Sequence, residues 1–191
     1  MRAAGTLRRS PLPQYAAAAL VAAILMLAIQ AATPDLYGND SYFHLRMASL
    51  LPAHGFVDAF PWLHWTLFRD AFVSNHHGFH LVLCLILSIA NGLGGSELFA
   101  GKAVTLMGVA ATACMTLALL RERRVPHAWV WSLFVVALPW HFWLRMSYVR
   151  APVLALPLFL LCLYFILRQK PVVSALCAFV LTQFYLGAVV L

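Results

Sequence analysis

Apolar residues gather in long blocks along this chain rather than alternating with polar ones. The blocks cover about residues 15–32, 98–120, 127–144, 151–167 and 171–191. A helix needs ~20 consecutive apolar residues to cross a bilayer core, and each of these runs is close to that length. A sixth run, 80–90, is much shorter, and runs of that size are more often re-entrant or interfacial. Between the first two long blocks lies a mixed stretch, about 33–97, with six of the eight histidines and most of the acids.

Whether the short run crosses decides the topology, and the basic residues arbitrate. If it crosses, Arg2, Arg8, Arg9, Lys102, Arg145 and Arg150 share one side, and Arg46, Arg69, Arg121, Arg123, Arg124, Arg168 and Lys170 share the other, which is no bias. If it does not cross, Arg2, Arg8, Arg9, Arg121, Arg123, Arg124, Arg168 and Lys170 fall on one side in tight clusters. Positive charge in short loops marks the cytoplasmic side, so this arrangement is preferred. It predicts an all-α polytopic membrane protein with five transmembrane helices, a cytoplasmic N-terminus and a long helical outer loop over about 33–97. The whole of 1–191 then forms one membrane domain. Trp129 and Trp131 at one end of the third block, with Trp140 and Trp143 at the other, fit two interfacial belts on one helix.

Composition agrees. Of 191 residues, 63% are hydrophobic and 10% charged, against about 25% charged in soluble domains. The formal net charge of +7 comes from short clusters between apolar runs, not from a continuous basic face, which argues against nucleic acid as a partner. Cys84, Cys114, Cys162 and Cys177 all sit in apolar runs without a C-x-x-C pair and read as small hydrophobes. The first block follows Arg2, Arg8 and Arg9 and ends near Ala31 and Ala32. A cleaved signal peptide is one reading, but no A-x-A site closes the run, and an uncleaved first span is expected. Leu191 ends an apolar run without a polar anchor, so a fragment of a longer chain is expected.

Candidate chemistry concentrates outside the spans. Gly38-Asn39-Asp40-Ser41-Tyr42-Phe43-His44-Leu45-Arg46 follows the first block. Asn39 suits an N-cap with Asp40 in the first turn, and a helix to about residue 51 puts Asp40, His44 and Met47 on one face. The helix dipole favours an ionised Asp40 there. Such a carboxylate serves as a base or a metal ligand, or merely caps its helix. Arg46 either meets a lipid phosphate or snorkels toward headgroups. His76, His77 and His80 form H-H-x-x-H, usable for a metal on one helix face but without the glutamate of H-E-x-x-H. An interfacial polar face is the plainer alternative. Arg145 and Arg150 flank Ser147-Tyr148, where two guanidiniums suit a phosphate or pyrophosphate, or ordinary interfacial anchoring. No phosphate-binding loop, G-x-S-x-G or G-x-G-x-x-G is present.

The ordered set of these features resembles the N-terminal part of the GT-C membrane glycosyltransferases, in particular oligosaccharyltransferase catalytic subunits and their bacterial homologues. Asn39-Asp40-Ser41-Tyr42-Phe43 matches the family's segment with an essential loop aspartate. The half-buried run 78–90, the basic turn Arg121-Glu122-Arg123-Arg124, the short loop Ser147-Tyr148-Val149-Arg150, the run 152–159 with Arg168-Gln169-Lys170 after it, and Gln183-Phe184-Tyr185 follow in the family's order. The resemblance implies transfer of a sugar from a polyprenyl-phosphate-linked donor to a protein or glycan acceptor, at the outer face of a bacterial inner membrane. Asp40 takes the place of the loop aspartate, with His44, Arg46, Arg145 and Arg150 as substrate-binding candidates. The family's second acidic pair is missing, since its place reads Tyr148-Val149-Arg150. That sets the implied divalent metal, Mg²⁺ or Mn²⁺ at Asp40, against the residues present, and makes Arg150 a candidate cation for the donor phosphate. A non-catalytic homologue that binds lipid-linked sugar or serves as an assembly subunit is the alternative.

Overall fold

The computed structural model describes residues 12–137 and 139–185. Their regular structure is helical: α1 (Leu12–Ala31), α2 (Asn39–His54), α3 (His77–Gly92), α4 (Glu97–Glu122), α5 (Ala128–Ala137), α6 (Trp140–Met146), α7 (Pro152–Leu167) and α8 (Pro171–Phe184). One 3₁₀ turn, Leu67–Arg69, interrupts the loop after α2. No strand occurs among the described residues, although an isolated bridge pairs Tyr37 with Tyr148.

Local sequence sets these boundaries. Ser96 caps α4 by accepting the Phe99 N–H at 3.2 Å, with Glu97 in the first turn, where the helix dipole favours an anion. Pro152 and Pro171 open α7 and α8, where the missing N–H costs nothing. The block 127–144 is not the single helix that its hydrophobicity predicts. It divides into α5 and α6, with an extended Pro139 as the N-cap of α6, because proline cannot donate into a continuing helix. The two tryptophan pairs therefore stand on separate helices. The last block is helical to Phe184, and the rest of the expected run, 186–191, lies outside the described residues.

Helices α1 and α4 are long and apolar enough to cross a membrane, at 20 and 26 residues. The apolar helices α3, α7 and α8 are shorter. Helix α4 is the hub, packing against α1, α7, α5 and α3. Ala100, Val104, Val109, Ala113 and Leu117 on it are fully buried. At Gly108 the crossing with α7 is so close that a Cβ would lie 2.3 Å from the Val153 side chain, so only glycine permits it. The outer surface is apolar as well, with Leu20, Ile24 and Leu27 of α1 and Val172, Leu176 and Phe179 of α8 exposed.

The helices define two ends of a bundle. At one end, Arg121 donates to Gln14 Oε1 at 2.7 Å, and Arg168 pairs with Glu122 at 3.7 Å. At the other, Lys102 Nζ donates to the carbonyls of Gln30 at 2.8 Å and Thr33 at 2.6 Å, supplying a cation and donors where the last carbonyls of α1 lack partners. Helices α1, α4, α5 with α6, α7 and α8 each run between these ends. Helix α3 does not. It starts beside α2 and the end of α8, and it returns through Gly94 (φ 75°) to the start of α4.

Candidate functional site

The polar end of the bundle brings together two loops distant in sequence. Asp40 sits in the first turn of α2, and Arg150 lies just before α7. Arg150 Nη2 and Asp40 Oδ2 are 3.2 Å apart, with side chains 41% and 60% exposed. An exposed ion pair contributes little by itself, so the loops must be held by something else.

That support is buried directly beneath. The Ser41 hydroxyl donates to the Tyr37 carbonyl and accepts the Val149 N–H at 2.8 Å. Ser41 and Val149 are both fully buried. Tyr37 also pairs with Tyr148, and the ring of Tyr148 covers Gly38. Gly38 has φ 73° and ψ 144°, a region essentially limited to glycine, and a Cβ there would meet the Tyr148 ring at 3.3 Å. One layer lower, Gln30 Nε2 donates to the Ser147 carbonyl at 2.8 Å and to Thr105 Oγ1 at 3.1 Å. Asp40 and Arg150 thus stand on a scaffold that ties α1, α2, α4 and the loop before α7.

A second polar group lies between α2 and α3. His44 Nδ1 and His80 Nε2 are 2.9 Å apart, and Ser74 Oγ lies 3.3 Å from His80 Nδ1. His76 Nδ1 donates to the Phe184 carbonyl at 2.9 Å, and its ring stacks on Tyr185. Burial pushes the His44 imidazole from its usual 6.5 down to about 3, with the charges of His80, His76 and Arg150 adding to it. Burial likewise lowers His80 to about 4, helped by His76 and His77. Both rings are neutral at physiological pH.

The expected site residues separate accordingly. Asp40 and Arg150 meet. His44 and Met47, placed on the Asp40 face by helical spacing, turn inward and are buried, while Asp40 stays at the rim. His80 and His76 join His44, whereas His77 packs edge-on against Phe56. Arg46 and Arg145 are exposed, and neither side chain has a hydrogen bond or ion pair among the described residues. The N-cap of α2 is Gly38, one residue earlier than expected.

Sequence reasoning missed Ser41, Ser74, Gln30 and Lys102. Two of them carried a signal. Gln30 is the one amide in the first apolar block, and Lys102 is the one charge in the second. An isolated polar group in an apolar run marks a specific partner. Nothing in the sequence singles out Ser41 or Ser74, because a serine hydroxyl is as much at home at a helix start or in a loop.

Mg²⁺ and Mn²⁺ prefer several oxygen donors in near-octahedral array. The donors here do not fit such an ion: the Asp40 carboxylate faces a guanidinium, and Arg150 stands where a second acid would be needed. Among the described residues no group of three or more His, Cys, Asp or Glu side chains could hold a metal ion. None of the protein-family models, curated proteins or solved structures compared with the chain matches it.

Proposed function

We propose that this chain is the N-terminal part of a GT-C-type membrane glycosyltransferase with five transmembrane passes, whose polar end faces outward and acts on a polyprenyl-phosphate-linked sugar. The observation that carries this is the Asp40–Arg150 pair, a carboxylate and a guanidinium at 3.2 Å on a buried scaffold. The apolar outer surface and two membrane-length helices support lipid as the solvent. Helix α3 supports an interfacial position. Leu81, Leu85 and Ile89 are exposed along one side while Phe79, Leu83 and Leu87 are buried, so both its faces are apolar.

The pair gives each partner a task. A donor phosphate competes with Asp40 for Arg150, since guanidinium binds phosphate oxygens in bidentate fashion. Arg145, free of other partners among the described residues, is a second cation for it. Release from Arg150 frees the Asp40 carboxylate to accept the proton of an acceptor hydroxyl or amide. The acceptor atom bonds to the anomeric carbon, the carbon–oxygen bond to phosphate breaks, and the electron pair leaves with the polyprenyl phosphate. No step is routed through a metal.

The test is sugar transfer by the full-length protein with an Asp40→Asn substitution. General-base or electrostatic help of this kind is worth about 10²–10⁴ in rate, and a loss of that size is expected. Transfer at the wild-type rate removes Asp40 from the reaction. A second reading, a non-catalytic homologue that binds lipid-linked sugar, is favoured by the arginine where the family carries acid. Saturable binding without turnover in the wild type selects it.

A further inference from the structure

The basic end of the bundle carries a concavity that sugar transfer does not use. Helix α4 ends there in a Schellman turn. The Arg124 N–H donates to the Arg121 carbonyl and the Val125 N–H to the Leu120 carbonyl, both at 2.9 Å. Glycine is the usual residue at the left-handed position of such a turn, yet Arg124 occupies it with φ 56°. A charge stands where backbone preference alone would put glycine.

Arg121, Arg124 and His127 line a pocket of about 400 Å³ together with Gln14 and Trp129, within the roughly 300–1,000 Å³ of small-ligand sites. Arg121 is held in place there. It donates to Gln14 Oε1 at 2.7 Å, and its guanidinium lies 5.7 Å from the centroid of the Tyr15 ring. Its other N–H groups remain for a ligand. The side chains of Arg124 and His127 have no hydrogen bond or ion pair among the described residues. No acidic side chain lines the pocket among those residues, and the neighbouring Glu122 is engaged by Arg168. A second groove, of about 280 Å³, opens from this pocket between α1 and α5. Pro13, Ala17, Val21 and Leu133 line it, and Gln14 and Trp129 belong to both cavities. From Pro13 to Val21 the groove follows α1 for about 12 Å, at 1.5 Å per residue. Apart from Gln14 its lining is apolar.

We propose that pocket and groove together hold one anionic phospholipid, its phosphate on Arg121 and Arg124 and one acyl chain along α1 and α5. The two guanidiniums select a phosphate-bearing headgroup, which they bind with directed hydrogen bonds. The apolar groove selects a lipid over a free anion, because a phosphate ion leaves that surface uncovered. Basic pockets between membrane helices bind anionic headgroups in this manner. Trp129 stands at the boundary of the two cavities, as an indole does between headgroups and chains. The inference goes beyond sugar transfer and needs only that the bundle lie in lipid.

The test uses the full chain in a neutral detergent, where no charged bilayer surface contributes. Dioleoyl phosphatidylglycerol, dioleoyl phosphatidylcholine or inorganic phosphate is titrated in, and bound lipid is counted by native mass spectrometry. One phosphatidylglycerol is expected to bind at least about fivefold more tightly than phosphatidylcholine, and Arg124→Gly should remove about that factor, the worth of one arginine beside anionic lipid. Glycine suits the turn at 124, so the thermal midpoint should move little and a loss of lipid is not a loss of fold. Arg123→Ala, which removes the same charge one residue outside the pocket, should change affinity less than about twofold. Ala17→Phe, which fills the groove, should weaken both lipids. Equal affinity for the two lipids, an equal loss on Arg123→Ala, or full binding by the Ala17→Phe chain overturns the site. Displacement of phosphatidylglycerol by an equal concentration of inorganic phosphate overturns it too, in favour of a free-anion pocket. Sugar transfer has no part in these readouts, so their failure is distinct from failure of the transferase proposal.

Discussion

The two ends of the bundle each carry an ion pair, but they are built differently. At the basic end, Arg168 meets Glu122 across 3.7 Å, and both residues flank short turns between helices that already pack. At the polar end, Asp40 meets Arg150 across 3.2 Å, and buried hydrogen bonds through Ser41 hold the two loops in register. A glycine with positive φ and a buried serine bridge support the polar pair, with neutral histidines packed beside it. Geometry fixed at this cost in backbone freedom and buried polar groups is what a site needs. The basic pair is what membrane anchoring alone would leave.

The difference is broken most severely at the chemistry itself. Arg150→Glu places two carboxylates together and, on the proposed function, removes the cation for the donor phosphate. If the chain acts as proposed, the substitution in the full-length protein should cost at least about 10²-fold in transfer, as for loss of one charged transition-state contact. Arg168→Glu at the other end should leave transfer within about twofold, since an exposed pair is worth ~0–1 kcal/mol. Equal losses from the two substitutions, measured as initial rates in nanodiscs, would mean that the polar pair is no more than an anchor.

The scaffold is the next target. Gly38→Ala adds a Cβ at φ 73° and against the Tyr148 ring. It should destabilise the chain by about 1–3 kcal/mol, the usual cost of holding a non-glycine residue there. The basic end has positive-φ residues too, Arg124 (56°) and Gln169 (54°), but these occupy the left-handed region that other residues tolerate. Gln169→Gly should therefore shift the thermal midpoint little, and upward if at all. A Gly38→Ala chain as stable as the wild type would show that the loop is not held as described.

The sequence exposes the two ends unequally for the same reason. Helices α1, α4 and α7 are legible because long apolar runs and flanking charges define them. The basic end is legible because its charges cluster within a few residues of one another. At the polar end, Asp40 and Arg150 each stand out singly, yet 110 positions separate them, and no local pattern says that they meet. The histidines show the limit more sharply. Spacing groups His76, His77 and His80, whereas tertiary packing exchanges His77 for His44. Helix periodicity reports which residues share a face, not which helix covers it. The break at Pro139 within an apolar run was readable from proline chemistry, but hydrophobicity outweighed it.

Acid should separate the two ends more gently. Burial lowers His44 to about 3 and His80 to about 4, from about 6.5 for an unperturbed histidine. An opened α2–α3 contact takes up protons below about 6.5 that the closed one refuses, so opening becomes easier as pH falls from about 6.5 toward 4. Above pH 7 both forms are neutral and nothing changes. Hydrogen exchange of the α2 and α3 amides should accelerate over that window relative to the intrinsic rate, and exchange in α7 should not. Uniform protection of α2 and α3 down to pH 4 would show that the buried imidazoles are not what the acid reaches.

The smallest effect belongs to the basic pair taken alone. Glu122→Gln removes the partner of Arg168 but leaves the Arg168 bond to Tyr164 at 2.9 Å and the Arg121 bond to Gln14 at 2.7 Å. The expected loss of stability is under about 0.5–1 kcal/mol and should vanish at high salt, because exposed charges are screened over a Debye length. The same salt series on Ser41→Ala should show no such decline, since a buried hydroxyl bridge carries no net charge to screen. If the two substitutions respond to salt alike, the polar scaffold is electrostatic rather than hydrogen-bonded, and the distinction between the two ends is one of degree.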